Sequence, residues 1–216
     1  MWKAHCCNSR LDERLNSIPT DCPNCRVACE TRICSVEIPH FKQVVIFCTK
    51  CDACGYLSNE VKSGGEISAK GKRITLIIRE EQDLNRDFLK SDSCNLCIPS
   101  IGLEITHGSL GGKFTTVEGI LLEIHEDLLE RVPFASGDSA DATRKAKFKE
   151  LADKVKEIAE AKVVGCVIEL DDPLGNSYVQ NLYAPDPDPS LEIVEYERSF
   201  DQNEAFGLNS MQLNEE

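Results

Sequence analysis

The chain has 216 residues, 41 % of them apolar, twelve cysteines and a formal net charge of −13. That apolar share suffices for a packed core, no apolar run reaches the ~18 residues of a membrane span, and Lys3 with the polar, cysteine-containing stretch after it makes no secretory signal. Residues 1–80 carry 12 Lys+Arg against 9 Asp+Glu, net +3, and residues 81–216 carry 12 against 28, net −16, so the larger part repels phosphate backbones and argues against nucleic acid as a target.

Twelve cysteines without an export signal read as reduced thiols and metal ligands of a cytoplasmic or nuclear protein. Residues 1–20 are polar and patternless, a tail or linker in which Cys6 and Cys7 are free thiols. Residues 21–66 hold two Cys-x-x-Cys pairs, Cys22-Pro23-Asn24-Cys25 and Cys51-Asp52-Ala53-Cys54-Gly55. Four thiolates in two tight turns make a tetrahedral zinc site with Zn–S bonds of about 2.3 Å, and four cysteines leave no position for water or substrate, so the zinc is structural. Cys48 and Cys51 form a competing pair, but Gly55 favours Cys51 and Cys54: glycine after a knuckle takes φ > 0 without steric cost. Pro23 pre-sets the first knuckle, while Arg26 stands where glycine would be ideal. Cys48 ends the apolar run Val44-Val45-Ile46-Phe47 and reads as a buried strand residue. Strand-like runs at 32–38 and 43–48, lying between the knuckles, complete a zinc ribbon.

A Gly-rich stretch follows, with Gly64 and Gly65 and then Gly71. It fails as a phosphate loop, because Gly65 to Gly71 leaves five residues instead of four and Lys72 is followed by Arg73. Residues 74–79 are β-rich, and 81–90 reads as a short helix. Ile101, Leu103 and Ile105 alternate with polar or small residues, a half-buried strand, and Gly108, Gly111 and Gly112 mark a turn. Thr115 and Glu118 form a capping box for a helix with the stripe Val117, Ile120/Leu121, Ile124 and Leu128. After a break at 133–137, Asp141 caps a second helix with the stripe Phe148, Leu151/Ala152, Val155 and Ile158/Ala159; the two pair as a hairpin. Strands resume at 163–170, 177–183 and 191–197, with a turn at 171–176. The expectation is a mainly β chain: a four-cysteine ribbon (21–66), a β domain (67–200) interrupted by a helical hairpin (115–162), and a tail (201–216).

Several strings then carry a resemblance. Cys22-Pro-x-Cys25, Ile38-Pro39-His40-Phe41-Lys42, Cys51-x-x-Cys54-Gly55, Asn59-Glu60-Val61-Lys62-Ser63-Gly64-Gly65 and Gly71-x-Arg73-Ile74-Thr75-Leu76 resemble the ZPR-type zinc-finger proteins. So do the segments 110–119, Asp171-Asp172-Pro173-x-Gly175-Asn176-Ser177-Tyr178 and Phe200-Asp201-Gln202-Asn203-Glu204. The resemblance spans residues 20–210 and is to the C-terminal of two tandem modules of the eukaryotic members. It implies a zinc finger plus a double-stranded β-helix (jelly-roll-like) domain with an inserted helical hairpin, and one structural Zn2+. It also implies a non-enzymatic, cytoplasmic and nuclear protein that binds translation elongation factor 1-alpha and helps it fold. Receptor tyrosine kinase tails and nuclear complexes are further implied partners. The ribbon and the segment holding Asn59, Glu60, Lys62, Ser63, Gly64 and Gly65 are the expected partner surface.

Two other readings stay open: a nucleic-acid-binding ribbon, which the +3 half permits, and a thiol-disulfide enzyme using Cys94 and Cys97. The latter pair lies on a loop leading into a strand rather than at a helix N-terminus, where a thiol pKa drops. His5, His40, His107 and His125 have no partners at catalytic spacing, with His125 read as a surface residue. Glu123/Glu126 and Asp171/Asp172 read as a solvated helix face and a turn.

Overall fold

The computed structural model describes residues 16–38, 41–63, 67–130 and 142–211. The first four strands, β1 (Asn16–Asp21), β2 (Ala28–Glu37), β3 (Gln43–Lys50) and β4 (Leu57–Ser63), form an antiparallel sheet in chain order. In β3, Val44, Ile46 and Cys48 are buried and alternate with half-buried Val45, Phe47 and Thr49, the period-2 pattern of a strand with one covered face. Hydroxyl contacts tie the first three strands together: Thr20 Oγ1 to Thr31 Oγ1 at 2.7 Å and Thr31 Oγ1 to Thr49 Oγ1 at 2.8 Å.

Strand β1 corrects the reading of 1–20 as a tail, since all six of its residues pair with β2. Pro19 can sit there because β1 is an edge strand and needs no outward donor. Residues 59–63 of the expected partner segment lie in strand β4. Its residues are polar apart from Leu57 and Val61, and it is a strand because it pairs with β3 along its whole length. Gly64 and Gly65 lie outside the described residues.

The second unit contains β5 (Gly71–Ile78), β6 (Asp87–Lys90), β7 (Asn95–Ile98), β8 (Leu103–Ile105), β9 (Lys113–Thr116), α1 (Val117–Glu130), α2 (Ala142–Ala159), β10 (Cys166–Asp172), β11 (Tyr178–Val179), β12 (Leu191–Tyr196) and α3 (Phe200–Ala205). A five-stranded sheet has the order β12-β5-β10-β7-β8, and a three-stranded sheet the order β11-β6-β9. One core joins them: Ile74, Leu76, Leu96, Ile98, Ile168 and Leu170 from the larger sheet meet Phe88 and Val179 from the smaller. The hairpin contributes Val117, Ile120, Leu121 and Ile124 from α1 and Val155, Ile158 and Ala159 from α2 to the same core. The protein is thus a ribbon followed by a jelly-roll domain with an inserted helical hairpin.

Several boundaries differ from the sequence expectation. Residues 81–90 form a short 3-10 turn, Glu81–Asn85, followed by β6. Asp83 closes that turn by accepting from the Arg79 and Glu80 N–H groups at 2.8 and 3.0 Å, and burial of Phe88, Leu89 and Lys90 draws the rest into the sheet. The cap of α1 is Thr116, whose Oγ1 accepts from Gly119 N at 3.1 Å, one residue beyond the predicted Thr115. The 133–137 break and Asp141 lie outside the described residues. His125 is no free surface residue: its Nδ1 meets Ala152 O at 2.9 Å and links the two helices. The strand expected at 163–170 begins only at Cys166, because Ala161 and Gly165 take positive φ and turn the chain, leaving Val164 74 % exposed. The strand expected at 177–183 shrinks to Tyr178–Val179, since Gln180 O instead accepts from the Arg86 guanidinium. The expected C-terminal tail contains α3, capped by Ser199, whose Oγ accepts from Gln202 N at 3.2 Å.

The ribbon sits on the jelly roll through a second apolar cluster. Ile38, Val44, Ile46 and Val61 pack with Leu89 of β6, flanked by Phe114 and Tyr178. Val61 N donates to Gly112 O at 3.0 Å, Lys42 Nζ donates to Asn176 Oδ1 at 3.2 Å, and the Phe41 and Tyr178 rings stack at 5.0 Å.

Candidate metal centre

Each Cys-x-x-Cys turn links two paired strands: Cys22–Cys25 joins β1 to β2, and Cys51–Cys54 joins β3 to β4. The two turns have the same build. Cys22 N donates to Val27 O at 2.9 Å and Arg26 N to Cys22 O at 2.8 Å; Cys51 N donates to Tyr56 O at 2.8 Å and Gly55 N to Cys51 O at 2.9 Å. Arg26 and Gly55 occupy equivalent places, with φ of 60° and 76°. Glycine takes that conformation freely, whereas Arg26 is held there by the strands it joins.

The four Sγ atoms all lie within 4.8 Å of one another. Cys22 and Cys54 sulfurs are 3.6 Å apart, and those of Cys25 and Cys51 are 3.5 Å apart. A tetrahedron with 2.3 Å Zn–S bonds has edges of about 3.8 Å, so the set fits zinc. Cys22 and Cys51 are buried, Cys25 is half-buried and Cys54 is exposed, which places the metal at the ribbon tip with one side toward solvent. Donors converge on the sulfurs. The Tyr56 backbone, then the Asn24 amide (3.5 Å from Cys54 Sγ), favour the Cys54 thiolate and lower its pKa to about 6. The Val27 backbone likewise favours the Cys25 thiolate, but burial and the neighbouring thiols outweigh it and push Cys25 up to about 12. A divalent cation removes this conflict, because it is the shared partner that lets four adjacent sulfurs ionise together. Asn24 is a contributor that sequence reasoning missed; it shows only as the third residue of Cys-Pro-Asn-Cys, and its partner lies in the other knuckle.

Among the described residues, the remaining cysteines are not ligands of this set. Cys48 is buried in β3. Cys29 lies beside the knuckles on β2, its thiol raised by burial and by Cys22 and Cys51. Cys94 is fully buried in the jelly-roll core and pushed up to about 12 by burial. Cys97 belongs to β7, where Leu96 and Ile98 face the core, so its side chain is on the opposite face, between Glu169 and Glu104 in register. The pair therefore straddles the sheet.

Of the expected partner surface, Asn59, Glu60, Lys62 and Ser63 lie on β4. Glu60 and Lys62 are exposed, and Lys62 Nζ reaches Glu60 at 2.8 Å and Asp92 at 3.8 Å. Asn59 is half-buried opposite Cys48.

Residues 14–69 match the ZPR1 zinc-finger domain, and residues 82–208 match the ZPR1 jelly-roll domain. The chain belongs to the ZPR1 zinc-finger family. It is 48 % identical over 190 residues to the zinc finger chaperone zpr1 of Schizosaccharomyces pombe, covering 88 % of this chain and 41 % of that protein. It is 46 % identical over 192 residues to the human zinc finger protein ZPR1, covering 89 % and 41 %. An archaeal ZPR1-like protein of Methanocaldococcus jannaschii is 32 % identical over 162 residues, 74 % of this chain and 78 % of that one. The chain thus spans about two fifths of the length of its eukaryotic ZPR1 relatives.

Proposed function

We propose that this ZPR1-family chain is a non-enzymatic, zinc-stabilised binding module of the cytoplasm and nucleus that assists the folding of a client protein, the GTP-binding domain of translation elongation factor 1-alpha. The observation that carries the reading is the closed four-sulfur site: zinc held by Cys22, Cys25, Cys51 and Cys54 has no open position for substrate. Its contribution is to hold a surface, and that surface is the ribbon with Glu60 and Lys62 displayed on β4. The chaperone named among its relatives supports a folding role. The −16 charge of residues 81–216 disfavours a nucleic-acid target.

The test is co-purification. Zinc-loaded chain is expected to retain the elongation factor and raise its yield on refolding, while Cys22→Ser protein does neither. Equal retention by the two proteins would remove the ribbon from the interface. Retention of nucleic acid with a steep salt dependence would replace the reading altogether.

A further inference from the structure

Strand β12 is an outer strand of the five-stranded sheet and, among the described residues, pairs only with β5. Its hydrogen-bond phase follows from one contact: Ile77 N donates to Ser190 O at 2.8 Å, and Ser190 stands opposite Ile77 in the β12–β5 register. Antiparallel pairs alternate between bonded and non-bonded, so Glu192, Val194 and Tyr196 exchange bonds with β5. The N–H and C=O groups of Ile193 and Glu195 point away from it, into the open edge. Leu191 N is already taken by Asp188 O at 3.2 Å.

The side chains there are open too. Ile193 is 50 % exposed and Val194 48 % exposed. Ile193 stands opposite Ile74, on the face that forms the core, so the core face of this sheet runs out to an uncovered isoleucine. A six-residue edge with β-branched Ile193 and Val194 exposed and outward backbone groups is a template for another strand. The charges select the incoming strand. Glu192, Glu195 and Glu197 are exposed along this edge; Glu195 stands opposite Lys72 and Glu197 lies 3.5 Å from Lys70, whereas Glu192 stands opposite Thr75. A second copy would set its own glutamates against these, and like charges across a strand pair are destabilising.

We propose that the open edge of β12 captures an extended, basic segment of a partner protein by strand addition, with lysine or arginine facing Glu192 on one face and an apolar residue beside Ile193 on the other. This edge lies on the jelly roll, and the inference does not depend on which protein the ribbon binds.

Backbone amide exchange, read residue by residue by NMR on the zinc-loaded chain, tests it. The probes are a synthetic peptide alternating lysine with valine and its counterpart alternating glutamate with valine. In the free chain the Ile193 and Glu195 amides are expected to exchange fast, while those of Glu192 and Val194 are held by β5. The lysine peptide is expected to slow Ile193 and Glu195 selectively, and the glutamate peptide is not. Ile193→Pro deletes one outward donor without touching the β5 ladder, and is expected to weaken the lysine peptide roughly threefold to tenfold, the worth of one backbone hydrogen bond. Glu192→Lys is expected to weaken the lysine peptide and strengthen the other, which keeps the test decisive if the proline variant fails to fold. Lysine peptide that leaves both outward amides unprotected overturns the proposal, as does equal protection by both peptides. A free chain that dimerises with these amides already protected would assign the edge to a second copy instead.

Discussion

Gly112 and Val61 meet backbone to backbone across the junction of ribbon and jelly roll. Val61 N donates to Gly112 O at 3.0 Å, and a Cβ on Gly112 would lie 2.0 Å from Val61 O. No side chain fits at that distance, so Gly112 is what allows β4 to approach the β9 side of the jelly roll. Gly112→Ala is expected to push the two apart, at a cost of about 1–3 kcal/mol typical of forced overpacking. Because the zinc site is remote, zinc content should stay at one per chain. The readout is a lowered melting temperature with faster amide exchange in Ile38, Val44, Ile46 and Val61. Unchanged exchange in that cluster would show that the contact does not hold the ribbon in place.

Zinc removal is expected to unfold the ribbon while sparing the jelly roll. The ribbon's own buried apolar residues are few, and the cluster holding Ile38, Val44, Ile46 and Val61 is small and shared with Leu89, whereas a structural zinc contributes about 10–16 kcal/mol. Chelation, or Cys22→Ser, should therefore abolish amide protection from β1 to β4. Protection in β5, β10 and β7, which belong to the large core, should survive. Circular dichroism and exchange mapping, with metal counted in parallel, distinguish this from loss of the whole fold.

How much of this was legible from the residues depends on the range of the forces involved. The knuckles could be read because the metal fixes their geometry within four residues, and Gly55 marks the left-handed turn by itself. The α1 and α2 stripes were equally local. Strand β4 was hidden because nothing in Ser58-Asn59-Glu60 prefers a strand; its pairing with β3 imposes one. The Asp171-Asp172 pair read as a turn, yet Asp172 ends strand β10 and is fully buried. Its carboxylate accepts from the Ser91, Ser93 and Ser177 hydroxyls at 2.7, 2.6 and 2.6 Å, and from Leu174 and Asn176 N–H at 3.0 and 2.9 Å. Two of those serines are about eighty positions away in the chain, a distance that no periodicity reports. Lys90 and Arg86 are hidden for the same reason: each is buried by the closure of the sheets, not by its neighbours in sequence.

Arg86 sets an acid limit on stability. Its guanidinium lies between Asp83 and Asp188, and all three are buried. Burial alone would raise both carboxyl groups. Backbone N–H donors and Arg86 outweigh it and hold Asp83 and Asp188 below the usual carboxylate range. A carboxylate with a depressed folded pKa contributes stability that is complete above its unfolded value, about 3.9, and is lost as pH falls through the folded value. The jelly roll should thus hold from neutral pH down to about pH 4 and lose stability steeply below it. Asp188→Asn leaves Arg86 one charge short and is expected to cost about 3–5 kcal/mol at pH 7. The cost should shrink in acid, so that wild-type and variant denaturation midpoints converge. A difference that stays constant from pH 7 to acid would mean that Asp188 matters by shape alone.

Cys94 and Cys97 have the spacing of a redox pair but not the chemistry. A thiol-disulfide enzyme needs an accessible thiolate at neutral pH. Burial pushes Cys94 up to about 12 and Cys97 upward as well, with Glu169 and Glu104 adding to the latter. Their side chains also lie on opposite faces of the larger sheet, Cys94 in the core and Cys97 outside. The zinc-loaded chain is therefore expected to show no insulin-reducing activity and no Cys94–Cys97 disulfide under mild oxidation. Alkylation near neutral pH should modify Cys97 slowly and leave Cys94 untouched until the fold is denatured, as read by peptide mass mapping. Rapid alkylation of Cys94 in the folded chain would mean that the core around it opens, and would restore the redox reading.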